Sequence, residues 1–220
     1  MLRIKNQRIY GLPESIQRSG YPMRTGEPDD LHILDDILTQ YESKEVKRAE
    51  KLAQVDAGTG HDNFLKGIII QFDLCYPQYI SPQLQRYNWI DIVSSQSKMH
   101  RLVHNRDIRE NCNAYVLESF IDKMNFLLRK YNENIYPFSF KDGPDYMYKI
   151  QDKYTLFMFI ISNLPMGYEL WMGISTNYLQ LKTIYQQRKN HKLKEDWGEF
   201  CKFIENLPFS HLITGKNETK

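Results

Sequence analysis

Cysteine is scarce in this sequence, and an apolar run long enough to cross a membrane is missing. The 220 residues include three cysteines, Cys75, Cys112 and Cys201. Because they are odd in number and widely spaced, they indicate a reduced compartment rather than a disulfide framework. No stretch approaches the roughly 18 apolar residues of a membrane span. The first residues also lack the apolar run of a secretory signal. A cytoplasmic protein without a membrane partner is therefore expected.

An excess of charge of one sign is also missing. The chain has 29 basic and 27 acidic residues, which gives a formal net charge of +2. A chain so nearly neutral has no global field to hold a polyanion by the release of counterions. Nucleic acid is therefore not expected as a partner.

The motifs of several common enzyme classes are absent as well. The sequence contains no Gly-rich dinucleotide loop, no phosphate loop and no serine-hydrolase elbow. Its six histidines show neither HExxH spacing nor a Cys pair, so no metal site is predicted. His100 and His104 are four apart, but no carboxylate or cysteine nearby completes a ligand set. No Ser or Cys nucleophile is identified.

What the chain does contain is an ordinary globular balance, with 41% hydrophobic and 25% charged residues. At this length, that balance predicts a single domain over residues 1–220. Glycine and proline punctuate residues 1–27, which predicts an extended N-terminal arm, and residues 212–220 are expected to fray.

Hydrophobic periodicity predicts long helices separated by two strands. Helices are expected over residues 29–55, in two pieces around Glu42-Ser43, and over 108–131, 146–162, 177–188 and 194–207. Strands are expected over 66–74 and 168–175, and residues 132–145 are expected to form a loop. Strands separated by long helices, without regular βαβ alternation, predict an α+β fold.

Polar residues are concentrated between positions 61 and 98, around the first predicted strand. His61 precedes that strand. A helix beginning near residue 81 would place Gln83 and Arg86, three apart, on one face. The segment Ser94–Lys98 then offers hydroxyls, an amide and a cation, which suit a phosphate but also suit an ordinary surface loop.

This segment resembles the flavin-dependent thymidylate synthases, which methylate C5 of deoxyuridylate with FAD, a reduced nicotinamide and methylenetetrahydrofolate. The family's pattern has a His before a strand, a Pro after it, and a Gln three residues before an Arg-His-Arg triplet. The residues in register with it are His61, Pro77, Gln83 and Arg86. A second stretch, 163–188, is similar to the family's Leu-Pro turn, strand and Asn-led helix with a closing Arg. The matching residues there are Leu164-Pro165, Asn177 and Arg188.

The sequence also departs from the family's pattern. The triplet reads Arg86-Tyr87-Asn88, and Gln96, between Ser95 and Ser97, stands at the position of the family's Ser. Lys98 stands where the family has Arg. Ile161 occupies the position of an Arg that binds the nucleotide phosphate, and an apolar side chain cannot replace that contact.

The resemblance implies a twisted antiparallel or mixed sheet with long flanking helices, FAD as cofactor, and a pyrimidine nucleotide such as dUMP as substrate. NADPH and methylenetetrahydrofolate would be co-substrates, and the chain would assemble as a homotetramer. Three residues would lie on the flavin side: His61, Arg86 and Asn177. The substrate contacts would be Gln83, Ser95, Gln96, Ser97, Lys98 and Arg188, of which Arg188 would also be catalytic. The alternative is a protein that kept this scaffold for nucleotide binding or a structural role and lost the reaction.

Most of these residues have a structural explanation too. His61 can be an ordinary turn residue, and Gln83 and Arg86 can be an exposed surface pair. Asn177 can act as a helix cap only, and Arg188 can interact with the dipole at a helix end only.

Overall fold

The computed structural model describes residues 2–27, 43–55, 59–104 and 107–215. The strands are β1 (Arg3–Tyr10), β2 (Ile69–Pro77), β3 (Asp91–Ser95), β4 (Phe138–Lys141), β5 (Met147–Ile150) and β6 (Glu169–Asn177). The α-helices are α1 (Leu12–Arg18), α2 (Lys44–Ala53), α3 (Ser81–Leu84), α4 (Lys98–His104), α5 (Glu118–Asn132), α6 (Lys153–Ser162), α7 (Tyr178–Arg188), α8 (Lys194–Glu205) and α9 (His211–Thr214). Short 3-10 helices lie at Tyr21–Met23, Asn63–Gly67, Gln78–Ile80 and Ile108–Asn111. Over these ranges, no helix is both long enough and apolar enough to span a membrane.

Four strands form one sheet, in the order β1-β2-β6-β3, and β4 and β5 form a separate hairpin. The larger sheet is antiparallel. In the hairpin, Phe138 pairs with Ile150 and Lys141 pairs with Met147. Together with the helices, these sheets confirm the α+β fold expected from the sequence.

In the first part of the central strand β2, side chains alternate between a buried and an open face of the sheet, whereas its last residues, 75–77, are all buried. Ile70, Phe72 and Leu74 are buried, whereas Gln71 is exposed and Asp73 is half-buried. This period of two is the expected signature of a strand with one covered face. The open face therefore carries polar side chains from the middle of the sheet.

Side-chain caps fix the start of three helices. Ser43 accepts a hydrogen bond from the backbone N–H of Val46 at the start of α2. Asp152 caps α6 and Asn177 caps α7 in the same way. Each cap satisfies one of the backbone donors that a helix leaves unpaired in its first turn.

One compact unit is made of residues 1–74, 84–94 and 173–220. Its core contains the fully buried Trp197 and Phe200 of α8. The ring of Phe72 packs against that of Phe203, with centroids 5.0 Å apart. Helix α9 packs against α7 in the same unit.

The start of α1 requires a glycine. Gly11 has φ of 72°, and a Cβ there would stand 2.5 Å from the carbonyl oxygen of Gly67. Any side chain at Gly11 would meet backbone, which cannot move aside as a flexible side chain can. The close approach ties α1 to the segment that leads into β2.

The second compact unit is made of residues 75–83 and 95–172. Its core lies among α5, α6 and the β4–β5 hairpin, and includes the buried Met124, Leu127 and Leu156. Aromatic rings of the hairpin extend this core. Phe140 packs edge-on against Phe159 with centroids 5.6 Å apart.

Several predicted elements are confirmed. Strands β2 and β6, and helices α2, α7 and α8, lie where the periodicity placed them, within a few residues. The first helical piece expected before Glu42 lies outside the described residues. The chain divides into two compact units, and the single domain over 1–220 stays a prediction.

Both predicted irregular ends are corrected. Residues 3–10 of the expected N-terminal arm form the strand β1, and residues 12–18 form the helix α1. The frayed tail was expected from residue 212, but α9 continues to Thr214, and Leu212 and Ile213 are buried. Burial of these two apolar side chains is the reason that residues 212–214 are helical rather than frayed.

The middle of the chain differs as well. The expected helix over 108–131 begins as a 3-10 turn and becomes α-helical from Glu118 only. The expected loop over 132–145 contains β4, and the expected helix over 146–162 begins with β5. Residues 91–95, expected to be irregular at their polar end, form the edge strand β3.

Candidate functional site

Helix α7 supports the segment that carries the altered triplet. The backbone N–H of Trp89 donates to Oε1 of Gln180 at 3.2 Å, and the Trp89 carbonyl accepts from Oγ1 of Thr176 at 2.6 Å. The hydroxyl of Tyr87 donates to Oε1 of Gln187 at 3.1 Å. Residues 86–89, which we call the strap, are thus held to both ends of α7.

The strap turns one side chain, that of Tyr87, toward the protein and the other three toward solvent. Tyr87 is 7% exposed, whereas Trp89 is 59% exposed. Arg86 and Asn88 are exposed too. In the described parts of the chain, no hydrogen bond or ion pair engages the guanidinium of Arg86. The strap therefore presents a cation, an amide and an aromatic ring to solvent on a backbone fixed by α7.

Arg188, predicted to be catalytic and to bind substrate, lies between two aromatic rings. Its Nε donates to the hydroxyl of Tyr87 at 2.7 Å. Its guanidinium carbon lies 5.5 Å from the centroid of Tyr87 and 4.5 Å from that of the buried Trp197. Such cation–π contacts are attractive. The structure brings Arg188 to the strap, and these contacts give Arg188 a structural role beyond a helix dipole.

Asn177, predicted to bind the flavin, uses its side chain to cap α7. Its Oδ1 accepts from the backbone N–H of Gln180 at 2.9 Å, and the residue is buried. Asn177 and Arg188 lie at opposite ends of α7, about 16 Å apart at 1.5 Å per residue. The two residues can therefore act on one ligand only if that ligand is long.

His61, also predicted on the flavin side, lies in an exposed turn beside a buried ion pair. Its neighbour Asp62 contacts Nζ of Lys182, in the middle of α7, at 2.7 Å. Lys182 also donates to the carbonyl oxygen of Ala53 at 2.7 Å. Both charged side chains are less than a tenth exposed. The pair fixes the turn of His61 to the same helix that holds the strap.

The shared helical face expected for Gln83 and Arg86 is wrong. Helix α3 ends at Leu84, and Arg86 lies in the turn that follows. The backbone N–H of Tyr87 donates to the carbonyl of Leu84 at 3.1 Å, which closes that turn. Gln83 is half-buried within α3. The i, i+3 spacing predicts a common face only inside a helix, and the helix is too short.

Gln96, predicted to bind substrate, serves as an internal hydrogen-bond acceptor. Its Oε1 accepts from Nη1 of Arg101 and from the backbone N–H of Trp171, the latter at 3.1 Å. Its own backbone N–H donates to the carbonyl of Trp171 at 3.0 Å. Arg101 also donates to Asn111. Gln96 therefore fixes the end of β3 against β6.

The remaining predicted substrate residues surround Gln96 on the chain. Ser95 is the last residue of β3 and is exposed. Ser97 caps α4, since its Oγ accepts from the backbone N–H of His100 at 3.3 Å. Lys98, the first residue of α4, is exposed. All three residues are exposed, and Ser97 also uses its hydroxyl as a cap.

Sequence reasoning missed Trp89 and the partners of Gln96. A large aromatic residue directly after the triplet was the available signal for Trp89. Arg101 gave no such signal, because its role depends on Gln96 and on a strand that lies 68 residues further along the chain.

Two side chains near these residues have shifted pKa values. Burial, together with the nearby charges of Arg188 and Lys192, lowers the pKa of His191. Burial, with the charge of Glu169, raises the pKa of the Cys112 thiol to about 11, so that thiol is not an activated nucleophile at neutral pH. Across the four described ranges, no group of three or more His, Cys, Asp or Glu could hold a metal ion.

Comparisons of the sequence with protein-family models and with curated proteins gave no match. Two crystal structures of the flavin-dependent thymidylate synthase ThyX from Helicobacter pylori, each with FAD and dUMP, have a similar fold. One is 15% identical with a TM-score of 0.57, covering 100% of this chain and 99% of that chain. The other is 15% identical with a TM-score of 0.60, covering 97% and 96%. The chain therefore has a fold like that of ThyX over its full length.

Proposed function

We propose that this protein binds FAD and a pyrimidine deoxynucleotide such as dUMP, and transfers a one-carbon unit to C5 of the pyrimidine. The observation that carries the proposal is the full-length likeness in fold to proteins described with FAD and dUMP. NADPH and methylenetetrahydrofolate would serve as co-substrates. The working form would be a homotetramer in the cytoplasm.

The exposed side chains of the strap fit a flavin. Arg86 offers a cation to an anionic group or to the pyrimidine edge of the ring system, and Trp89 offers a flat face for stacking. His61, in its exposed turn, adds a hydrogen-bonding ring. A bound reduced flavin would supply the hydride of the reaction. Asn177 would act as a positioning residue, because its side chain already caps α7.

Several polar side chains suit a nucleotide. Lys98 would neutralise phosphate as a point charge, and Ser95 and Ser97 would add hydroxyls. Gln83 and Arg188 would contact the base or the phosphate. Gln96 would act by fixing the end of β3, since its carboxamide oxygen already accepts two hydrogen bonds.

The second candidate function is nucleotide binding without the reaction. It is favoured by Tyr87, whose hydroxyl is committed to Arg188 and Gln187 and whose ring lacks the charge of the family's His. Asn88 and Ile161 remove two further positive charges. A scaffold that binds but does not react would tolerate all three replacements.

The test combines a binding titration with a turnover assay on the same protein. FAD should bind with a dissociation constant of tens of micromolar or less, which corresponds to roughly 6 to 7 kcal/mol. Arg86→Ala should weaken FAD by about tenfold or more, the usual cost of a charge-assisted contact. Arg129→Ala, which changes an exposed Arg of α5, is the matched control and should bind FAD as the wild type does.

Tritium release from C5-labelled dUMP separates the two candidates. Because charges at positions 88 and 161 are missing, release should be detectable but slower than about 1 per second, below an ordinary enzyme rate. FAD binding with no release would favour the second candidate. Absence of saturable FAD binding would reject the flavin assignment itself.

A further inference from the structure

The open face of the larger sheet contains a cavity of about 220 Å³. All four strands contribute to it. The residues that matter are Asn6 and Arg8 on β1, Gln71 and Asp73 on β2, Val93 on β3 and Gly173 on β6. None of these residues belongs to the flavin or nucleotide contacts that the resemblance implied.

Asn6 has an unusual backbone conformation for a strand residue. Its φ is 54°, in the left-handed region. A non-glycine residue in that region costs of the order of 1 kcal/mol or more and is found preferentially at functional sites. The conformation lets Nδ2 of Asn6 donate to Oδ2 of Asp73 at 2.6 Å. This hydrogen bond fixes one oxygen of the Asp73 carboxylate at the cavity wall.

Gly173 leaves the cavity open, although the packing around it does not require a glycine. A Cβ at this position would lie 3.8 Å from Cβ of Val93 and 4.0 Å from Oδ1 of Asp73. Both are ordinary van der Waals distances. The missing side chain thus gives space above β6 that the fold does not itself require.

The polar groups of the cavity differ in charge and are arranged on neighbouring strands. Arg8 is exposed, and no hydrogen bond or ion pair to another described residue engages its guanidinium. Gln71 likewise has an exposed carboxamide. Asp73 is a half-buried carboxylate with acceptor capacity beyond its bond to Asn6. An Arg fork binds an anion of the phosphate type, and a carboxylate accepts from hydroxyls.

We propose that this cavity binds a sugar phosphate, either free or as part of a nucleotide. The phosphate lies on Arg8, a sugar hydroxyl donates to Asp73, and the carboxamide of Gln71 completes the hydrogen bonds. The sugar ring occupies the space above Gly173 and contacts Val93. No residue of the strap lines this cavity, and the proposal does not require flavin binding.

The experiment measures binding of ribose 5-phosphate, dUMP, inorganic phosphate and glucose to the full chain by calorimetry. Ribose 5-phosphate should bind saturably, and more tightly than inorganic phosphate or glucose. Gly173→Val fills the cavity and Arg8→Gln removes the cation, so each should weaken ribose 5-phosphate by about tenfold or more. Arg129→Gln and Gly198→Ala are matched controls at positions away from the cavity and should leave binding unchanged.

Each outcome decides the proposal. If dUMP binds and ribose 5-phosphate does not, and Gly173→Val abolishes the dUMP binding, the sugar phosphate is recognised as part of a nucleotide. Binding of dUMP that survives Gly173→Val belongs to the nucleotide contacts of the proposed function. If ribose 5-phosphate then shows no binding, the cavity proposal is overturned. Equal affinity for inorganic phosphate and ribose 5-phosphate would mean that the site recognises the anion and not the sugar, and would also overturn the proposal. Should Gly173→Val fail to fold, Gly173→Ala and Arg8→Gln provide the same test.

Discussion

The Nε of Arg188 donates to the hydroxyl of Tyr87 at 2.7 Å, and the guanidinium lies over the Tyr87 ring. Arg188 matches the pattern of the flavin-dependent thymidylate synthases, whereas Tyr87 departs from it. Tyr87, which departs from the pattern, therefore holds Arg188, which matches it. The phenol of Tyr87, at a position where the family's pattern has an imidazole, makes an internal contact between the strap and the end of α7.

Tyr87→Phe should separate the hydroxyl contact from the ring contact. The variant keeps the aromatic face but removes the acceptor of Arg188 and the donor to Gln187. We expect the free energy of unfolding to fall by about 1 to 2 kcal/mol, the range for lost side-chain hydrogen bonds. Urea unfolding with an unchanged m-value measures this loss. A change below about 0.3 kcal/mol would mean that water replaces both contacts without cost.

Arg188→Ala tests the predicted substrate role against the structural one. Loss of the cation–π contacts with Tyr87 and Trp197 and of the hydrogen bond to Tyr87 should destabilise the fold by about 1 to 2 kcal/mol. If Arg188 also contacts the nucleotide, dUMP should bind about 10- to 150-fold more weakly. Melting temperature and the dUMP dissociation constant are measured on the same preparation. A lower melting temperature with unchanged dUMP binding would leave Arg188 as a structural residue only.

Trp89→Ala should weaken FAD binding without unfolding the protein. The Trp89 backbone is fixed by Thr176 and Gln180, while most of its side chain is exposed. Stacking of a heterocycle on an aromatic ring is worth about 1 to 3 kcal/mol, so FAD should bind roughly 5- to 150-fold more weakly. Quenching of flavin fluorescence follows the binding. Trp89→Phe, which retains a flat ring, should recover much of the affinity; equal affinity of both variants and the wild type would exclude stacking at Trp89.

The sequence predicts elements that a few neighbouring residues encode, but the contacts of the candidate site residues depend on residues far away in the chain. The position of strand β2 and the Asn cap of α7 are encoded within a few residues, so the sequence predicts both. The contact between Tyr87 and Arg188 joins positions 101 residues apart. Local propensity carries no information about such a pair. The same limit applies to Gln96, whose hydrogen-bond partners became visible only when β3 was placed beside β6.

The β4–β5 hairpin lies where the sequence predicts a loop and the start of a helix, and its contacts explain the difference. Pro137 and Gly143 are loop signals, and the apolar run that follows has no strict alternation. The hairpin is stabilised by rings that meet only in the folded chain. Phe140 stacks on Tyr148 with centroids 5.4 Å apart. Tertiary packing of this kind overrides weak local preference.

The imidazole of His191 should make stability depend on pH. Its Nδ1 accepts from the backbone N–H of Leu193 at 3.2 Å, which requires the neutral form. Burial and the charges of Arg188 and Lys192 lower its pKa from the usual 6.5. The unfolded chain therefore binds a proton more readily, so this contribution is present above about pH 6.5 and is lost as pH falls below it. His191→Asn, which keeps an acceptor but does not titrate, should flatten the slope of melting temperature between pH 5.5 and 7.5; an unchanged slope would contradict the assignment.

The ion pair between Lys182 and Asp62 should be the costliest polar contact of the first unit to break. Both side chains are buried, and their atoms lie 2.7 Å apart. Lys182→Met would leave the Asp62 carboxylate in a dry environment without its counter-ion, and we expect a loss of about 3 to 5 kcal/mol in the free energy of unfolding.

Two further variants decide whether burial is the cause of that loss. The double variant Lys182→Met with Asp62→Leu removes both charges and should recover the part of the loss that comes from the unpaired Asp62 charge. The part that comes from the lost donor to the carbonyl oxygens of Ala53 and Val55 should remain. The exposed pair Lys202 and Glu199, also 2.7 Å apart, is the control, and Lys202→Met should leave the urea midpoint unchanged. Equal effects of Lys182→Met and Lys202→Met would show that the pair beside His61 is no more than a surface contact. A large loss in Lys182→Met alone would identify the pair as the anchor of the turn that presents His61.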